Sequence, residues 1–176
     1  MKTIIFFLLT LSLGLVASCS SVKIITDFDQ EADFTSYKIY AWSQVSDPFN
    51  LDYPQYDNSL NRNRWKEAID AALQRQGYVL GEGNVDLEVD FHLQFERNAV
   101  PYHDHHDVEG QSSYNYKPTS VYQYDQGTMI IHLLDLEKKR IVWQGFSTRA
   151  LDIGLLEDAD ANIQKAVSKI FKNFPG

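Results

Sequence analysis

The clearest pattern in the chain lies between Val85 and Glu96. Val85, Leu87, Val89, Phe91, Leu93 and Phe95 alternate strictly with Asp86, Glu88, Asp90, His92, Gln94 and Glu96. A period of two over this length predicts a strand buried on one face and wet on the other, which suits an antiparallel or mixed sheet with one covered side. Shorter runs add strands: "VKIITDFD" from Val22, "SYKIYAW" from Ser36, and a short piece at Tyr78 before the turn "GEGN". From Ser113 to Tyr124 the even positions Tyr114, Tyr116, Tyr122 and Tyr124 share one strand face. "DQGT", Asp125 to Thr128, reads as a turn, and the chain from Met129 to Leu151 as two strands joined near Glu137 to Arg140.

Two stretches change period. From Leu60 to Gln76, Trp65, Ile69, Ala72 and Leu73 recur at helical spacing, while Arg62, Arg64, Lys66, Asp70 and Arg75 form the opposite, wet face. Asn58 or Ser59 is placed to cap this helix, and Gly77 suits its left-handed end. A second helix is predicted from Glu157 to Asn173, with Ile163, Ala166, Val167, Ile170 and Phe174 as its apolar stripe and Pro175 ending it. The segment from Ser46 to Ser59, with two prolines, reads as a loop. The predicted order is β-β-α-β-β-β-β-β-α. One apolar stripe per helix and one apolar face on the best strand fit an α+β two-layer sandwich, a mainly antiparallel (mixed) sheet with two amphipathic helices on one face.

The chain has 176 residues, 44% hydrophobic and 13% aromatic, which is globular composition for one domain. The formal charge of -8, with no basic run, argues against a nucleic-acid partner. The N-terminus reads differently. Lys2 precedes an apolar run from Ile4 to Val16, shorter than the ~20 residues of a membrane span, and small residues follow. Residues 1–18 are therefore expected to be a signal peptide. Val16-Ala17-Ser18-Cys19 resembles a bacterial lipobox, in which the Cys thiol takes a diacylglycerol and the new amine an acyl group. Cys19 is the only cysteine, so no internal disulfide is available to it. Residues 19–21 become a lipidated N-terminus with a short tether, and 22–176 a single domain. By resemblance to the bacterial sorting rule, Ser20 points to the outer membrane, facing the periplasm. Two or more acyl chains suffice for stable anchoring, so the membrane contact is expected through the lipid. No other cofactor is expected.

Three pieces carry a further resemblance: "DFDQEADFTSYKIYAW"; "AIDAALQRQGYVL" with "VDLEVDFHL"; and "GTMIIHLLDLEKKRIVWQGFSTRAL" with the closing helix and its "FP". In order and spacing they are similar to the domain-of-unknown-function family numbered 4136, over about Val22 to Pro175. The resemblance implies an α+β domain on a lipid anchor. It brings no agreed activity and no catalytic residues, and it places variable sequence where 98–126 lies here.

The most conspicuous candidate chemistry is "VPYHDHHDVEG". His103, Asp104, His105, His106 and Asp107 are all ligand types for Zn, Cu or Ni. In an extended chain His103 and His105 share a side and His106 faces away. The flanks are polar and turn-like, with little to build a rigid supporting shell, so the segment reads as a solvated loop. The alternative is a metal-binding or metal-dependent periplasmic protein working through this loop. Asp86, Glu88, Asp90 and His92 form a second polar row, expected to be a solvated strand face, and His132 between Ile131 and Leu133 is expected to be a partly covered strand residue. Phosphate-loop and Gly-x-Ser-x-Gly motifs do not occur. Tyr114, Tyr116, Tyr122 and Tyr124 are either an exposed interaction surface or rings packed beneath a helix or loop. The expected role is a non-catalytic binding or structural module with an envelope protein or a cell-wall component as partner. A carrier of a small apolar ligand is disfavoured, because the two helices should cover the sheet.

Overall fold

The computed structural model describes residues 22–102 and 120–176. Its centre is a six-stranded mixed sheet in the order β1-β6-β5-β4-β2-β3. The strands are β1 (Lys23–Phe28), β2 (Ile39–Trp42), β3 (Val79–Leu80), β4 (Leu87–Tyr102), β5 (Ser120–Asp135) and β6 (Arg140–Ala150). β1, β6, β5 and β4 pair antiparallel, whereas β2 lies parallel to both β4 and β3. Helix α1 (Ser59–Arg75) connects β2 to β3. Helices α2 (Gly154–Glu157) and α3 (Ala159–Ile170) follow β6 and lead into a 3₁₀ turn over Phe171–Asn173.

The alternation that predicted β4 is kept. Leu87 and Val89 are fully buried, Phe91 and Leu93 pack against the core, and their neighbours in β5, Met129, Ile131 and Leu133, are buried beside them. Ile69, Ala72 and Leu73 of α1 and Ile163, Val167 and Ile170 of α3 close over this face, so both helices lie on one side of the sheet, as their single stripes required. Asn58 caps α1 by accepting the amide of Asn61 at 3.0 Å, and Gly77 takes a φ of +92° just beyond its end. A bulge between Leu133 and Leu134 places both Val142 and Trp143 inside. Trp143 lies obliquely against Phe171 and edge-on to Phe174, and Phe174 meets Phe34 and Tyr78, so the C-terminus is tied into the core.

Several expectations are corrected. "DQGT" is not a turn. The Tyr-rich run and the following apolar run belong to one strand, β5, paired with β4 from Tyr102↔Ser120 to Leu87↔Asp135. Asp125 is held there by Arg97 across the pair at 2.9 Å, and Gly127 makes room for the Phe95 ring and Leu151. β4 likewise runs past Glu96 into the segment expected to be loop. The last helix is broken at Asp158, whose carboxylate accepts the amide of Ala161 and starts α3 afresh. On α1, Asp70 is not on a wet face. Its carboxylate accepts the Tyr40 hydroxyl at 2.6 Å and the Trp42 indole at 3.0 Å. Arg62 is turned inward as well, as described below.

β6 stops at Ala150, opposite Gln126. Beyond that point β4 and β5 continue as a two-stranded ribbon. β1 begins at the same end of the sheet, since Lys23, Thr148, Thr128 and Gln94 form one row across four strands.

Carboxylates join the pieces. Asp86 accepts the amides of Lys38 and Ile39, fixing the start of β2 against β4. Asp135 accepts the Tyr37 hydroxyl and the Lys138 amide, closing the β5–β6 turn. Burial works to raise the Asp135 carboxyl, but these donors and the Lys138 charge outweigh it and hold it below its ordinary value.

Gly145 sits where a Cβ would run into the Ile170 side chain and fall 2.7 Å from the Trp143 ring. Gly145→Ala should therefore overpack the sheet–helix contact and cost about 1–3 kcal/mol in urea unfolding. A second outcome concerns alkaline pH. Burial, aided by Asp135 and Asp70, pushes the Tyr37 and Tyr40 hydroxyls well up, and burial alone pushes Tyr78 up to about 12 from an ordinary 10.0. Unfolded tyrosines ionise first, so stability should be complete below about pH 10 and fall towards pH 12. Unfolding midpoints measured at pH 9 and 11 should show this drop, and Tyr78→Phe should shrink it.

Candidate functional site

The face of the sheet away from the helices is not uniformly solvated. Asp90 of β4 pairs in register with His132 of β5, and His92 follows two residues along on the same face. His132 Nδ1 lies 2.9 Å from Asp90 Oδ1, and His92 Nε2 lies 3.3 Å from that same oxygen. The two imidazoles are 5.3 Å apart, centroid to centroid. All three side chains are half-buried, and their ligand-type atoms fall within 4.8 Å of one another. Ile130, opposite His92, is buried beside them.

A fourth group arrives from the loop after β2. Asp47 Oδ2 stands 2.7 Å from His92 Nδ1. This loop is fixed by a buried ion pair. Arg62 of α1 makes two contacts to Asp57, Nε to Oδ1 at 2.6 Å and Nη2 to Oδ2 at 2.8 Å. The same guanidinium donates to the Asp47 carbonyl at 2.6 Å and the Pro48 carbonyl at 3.0 Å, and lies over the Phe49 ring. Asp57 also accepts the Asn50 amide. The planar fork of arginine suits this multiple role, which a point-charge lysine could not fill.

Two other surfaces stand out. On the ribbon Tyr122 is 66% exposed and stacks on Tyr124 at 6.3 Å, with Val100 and Val121 also exposed. On the helix side, an apolar cleft of about 130 Å³ opens between Trp65, Leu93, Phe95, Leu151, Leu155 and Ile163, with Val22 at its edge. That is the size of a cavity that takes one benzene-like group, too small for a whole acyl chain.

Of the residues singled out from sequence, His103, Asp104, His105, His106 and Asp107 lie outside the described residues, as do Cys19, Tyr114 and Tyr116. The chain enters that His-rich segment after Tyr102, ten residues beyond His92 along β4, or roughly 33 Å of strand. The row Asp86, Glu88, Asp90, His92 does not act as a unit. Asp86 is spent on β2, while Asp90 and His92 join His132. The convergence of Asp90, His92 and His132 was within reach only by pairing β4 with β5 in the correct register. Asp47 carried no sequence signal.

Residues 24–176 match the family described as a domain of unknown function, DUF4136. The chain belongs to this family. No curated protein sequence matches it. Among solved structures, a PDZ domain protein from Parabacteroides distasonis is 15% identical over 85% of this chain, with a TM-score of 0.52. The alignment spans 36% of that protein's length, and the likeness concerns the fold. Two PelC dodecamer structures from Paraburkholderia phytofirmans are 14% and 13% identical over 85% of this chain and 97% of theirs, with TM-scores of 0.44 and 0.43.

In this DUF4136 domain the Arg62–Asp57 pair is the support of the Asp47 loop. Arg62→Ala would leave a buried carboxylate unpaired, and it should destabilise the domain by about 3 kcal/mol or more in urea unfolding. Arg62→Lys should recover only part of that loss.

Proposed function

We propose that this protein is a lipid-anchored, non-catalytic binding module of the bacterial cell envelope, and that the projecting β4–β5 ribbon holds a protein partner. The ribbon's exposed surface carries this reading. Tyr122 stands in the open, stacked on half-buried Tyr124 and paired with exposed Val100 on the same face, so among the described residues this strand face is not packed under a helix. Tyrosine offers apolar area with a hydroxyl and few rotatable bonds, which suits interfaces. Before Gln126, β5 has no partner in β6, and β4 has left β2 after Val89. Strand edges of this kind offer backbone groups for β-strand addition, a recognition mode for extended peptide.

The anchor is supported by the lipobox-like Val16–Cys19, which ends three residues before Val22. β1 starts at the ribbon's end of the sheet, so a lipid on Cys19 would set the ribbon on the membrane side of the domain. A partner that is itself held in or on the membrane suits that position.

The test is a photo-crosslinking residue placed at Tyr122 in cells, with Glu67 on exposed α1 as control. A single defined protein adduct at 122, absent at 67 and lost together with membrane association in Cys19→Ala, is the expected result. An adduct digested by a muramidase, equal labelling at both positions, or none at 122 would each overturn the protein-partner reading.

A further inference from the structure

We infer that Asp90, His92 and His132 form a binding site for a divalent transition-metal ion, Zn²⁺ being the simplest occupant, on the helix-free face of the sheet. Hydrogen-bond inventory is the starting point. A neutral imidazole has one N–H to donate and one lone pair. His92 faces a carboxylate at each nitrogen, Asp47 at 2.7 Å from Nδ1 and Asp90 at 3.3 Å from Nε2. If Nδ1–H donates to Asp47, the Nε2 lone pair points towards the Asp90 oxygen, and either a second proton on the ring or a metal ion makes that approach attractive. His132 Nδ1 shares that oxygen at 2.9 Å.

The spacing fits such a cation. Ligand atoms ~2.0–2.1 Å from one zinc ion stand about 3.3 Å apart on a tetrahedron and about 2.9 Å apart at adjacent octahedral corners. The two separations from Asp90 Oδ1, 3.3 and 2.9 Å, fall within that range, so an ion could replace the direct contacts with little movement of the side chains. Two imidazoles and one carboxylate make a borderline donor set that suits Zn²⁺, Fe²⁺ or Ni²⁺ better than Mg²⁺ or Ca²⁺.

A second observation is independent of the three ligands. The far nitrogen of His92 is held by Asp47, the carboxylate–histidine–metal arrangement that fixes the tautomer and the ring orientation. Asp47 is held in turn, because Arg62 grips its carbonyl while paired with buried Asp57. The support is therefore rigid back to helix α1. Three protein ligands leave at least one coordination position for water or for a donor atom from another molecule. The residues concerned are separate from the His103–Asp107 segment.

The test uses the purified full chain and Zn²⁺ alone in calorimetric titration, with Co²⁺ absorption reporting geometry. One ion per chain with a dissociation constant in the micromolar range or below is expected. His92→Gln or His132→Gln should weaken it at least 100-fold. Asp47→Asn, at a half-exposed position that leaves the fold intact, should weaken it about 10–100-fold. Replacing His103, His105 and His106 together by Gln should leave it unchanged. No stoichiometric binding overturns the site, as does binding that survives both His92→Gln and His132→Gln, or that disappears in the triple variant.

Discussion

Strand β4 is the constraint from which the rest of the molecule follows. It pairs along its whole length with antiparallel β5 and, at Leu87 to Val89, with parallel β2, so it joins the antiparallel and parallel parts of the sheet. Its period of two commits every odd side chain to the helices and every even one to the opposite face. Leu87 and Val89 can be buried only because α1 and α3 bring stripes of matching width. Burying an aliphatic side chain of this size is worth about 1.5–3 kcal/mol, and a one-residue slip would lose that and expose the whole set. Register is therefore fixed by the core, and the polar face inherits it. Asp90 meets His132 because Val89 must meet Leu133.

The domain's acidic character has a structural use. Asp57, Asp70, Asp86 and Asp135 each accept from two or more donors. Asp57 ties its own loop to nearby Arg62, while the other three bridge elements far apart in sequence: helix to β2, β4 to β2, hairpin turn to the segment before β2. Charge-assisted hydrogen bonds of this kind are stronger than neutral ones and directional. Asp70 shows why such joints escape pattern reading. On α1 it stands one place from Ile69, and a helix stripe is drawn from apolar residues alone. Only the Tyr40 hydroxyl and the Trp42 indole, which need an acceptor once covered, explain an acid on that side.

Periodicity made the fold class legible, because β4, α1 and α3 each carry a single apolar face and only one layering satisfies all three. It failed where periodicity is silent. Asp125, Gln126 and Gly127 are turn formers by composition, yet here they are consecutive rungs of β5, since Arg97 and Phe95 across the pair give each a partner or a space. Local propensity was overridden by a cross-strand neighbour more than twenty residues away. The half-buried polar cluster was hidden for the same reason. Its members are 42 residues apart in the chain or, for Asp47, on a loop whose course depends on Arg62. The conspicuous histidines of the sequence stand within four residues of one another; those that the fold brings together, His92 and His132, are far apart in the chain.

The sixteen rungs from Leu87↔Asp135 to Tyr102↔Ser120 are unbroken. The exposed tyrosines of the ribbon and the paired histidines therefore stand on the same two backbones, separated only by hydrogen-bonded pairs. Were both the proposed partner and the proposed ion bound, any coupling between them would be reciprocal. Whatever factor one applies to the affinity of the other, by stiffening or twisting the pair, is returned to it in equal measure.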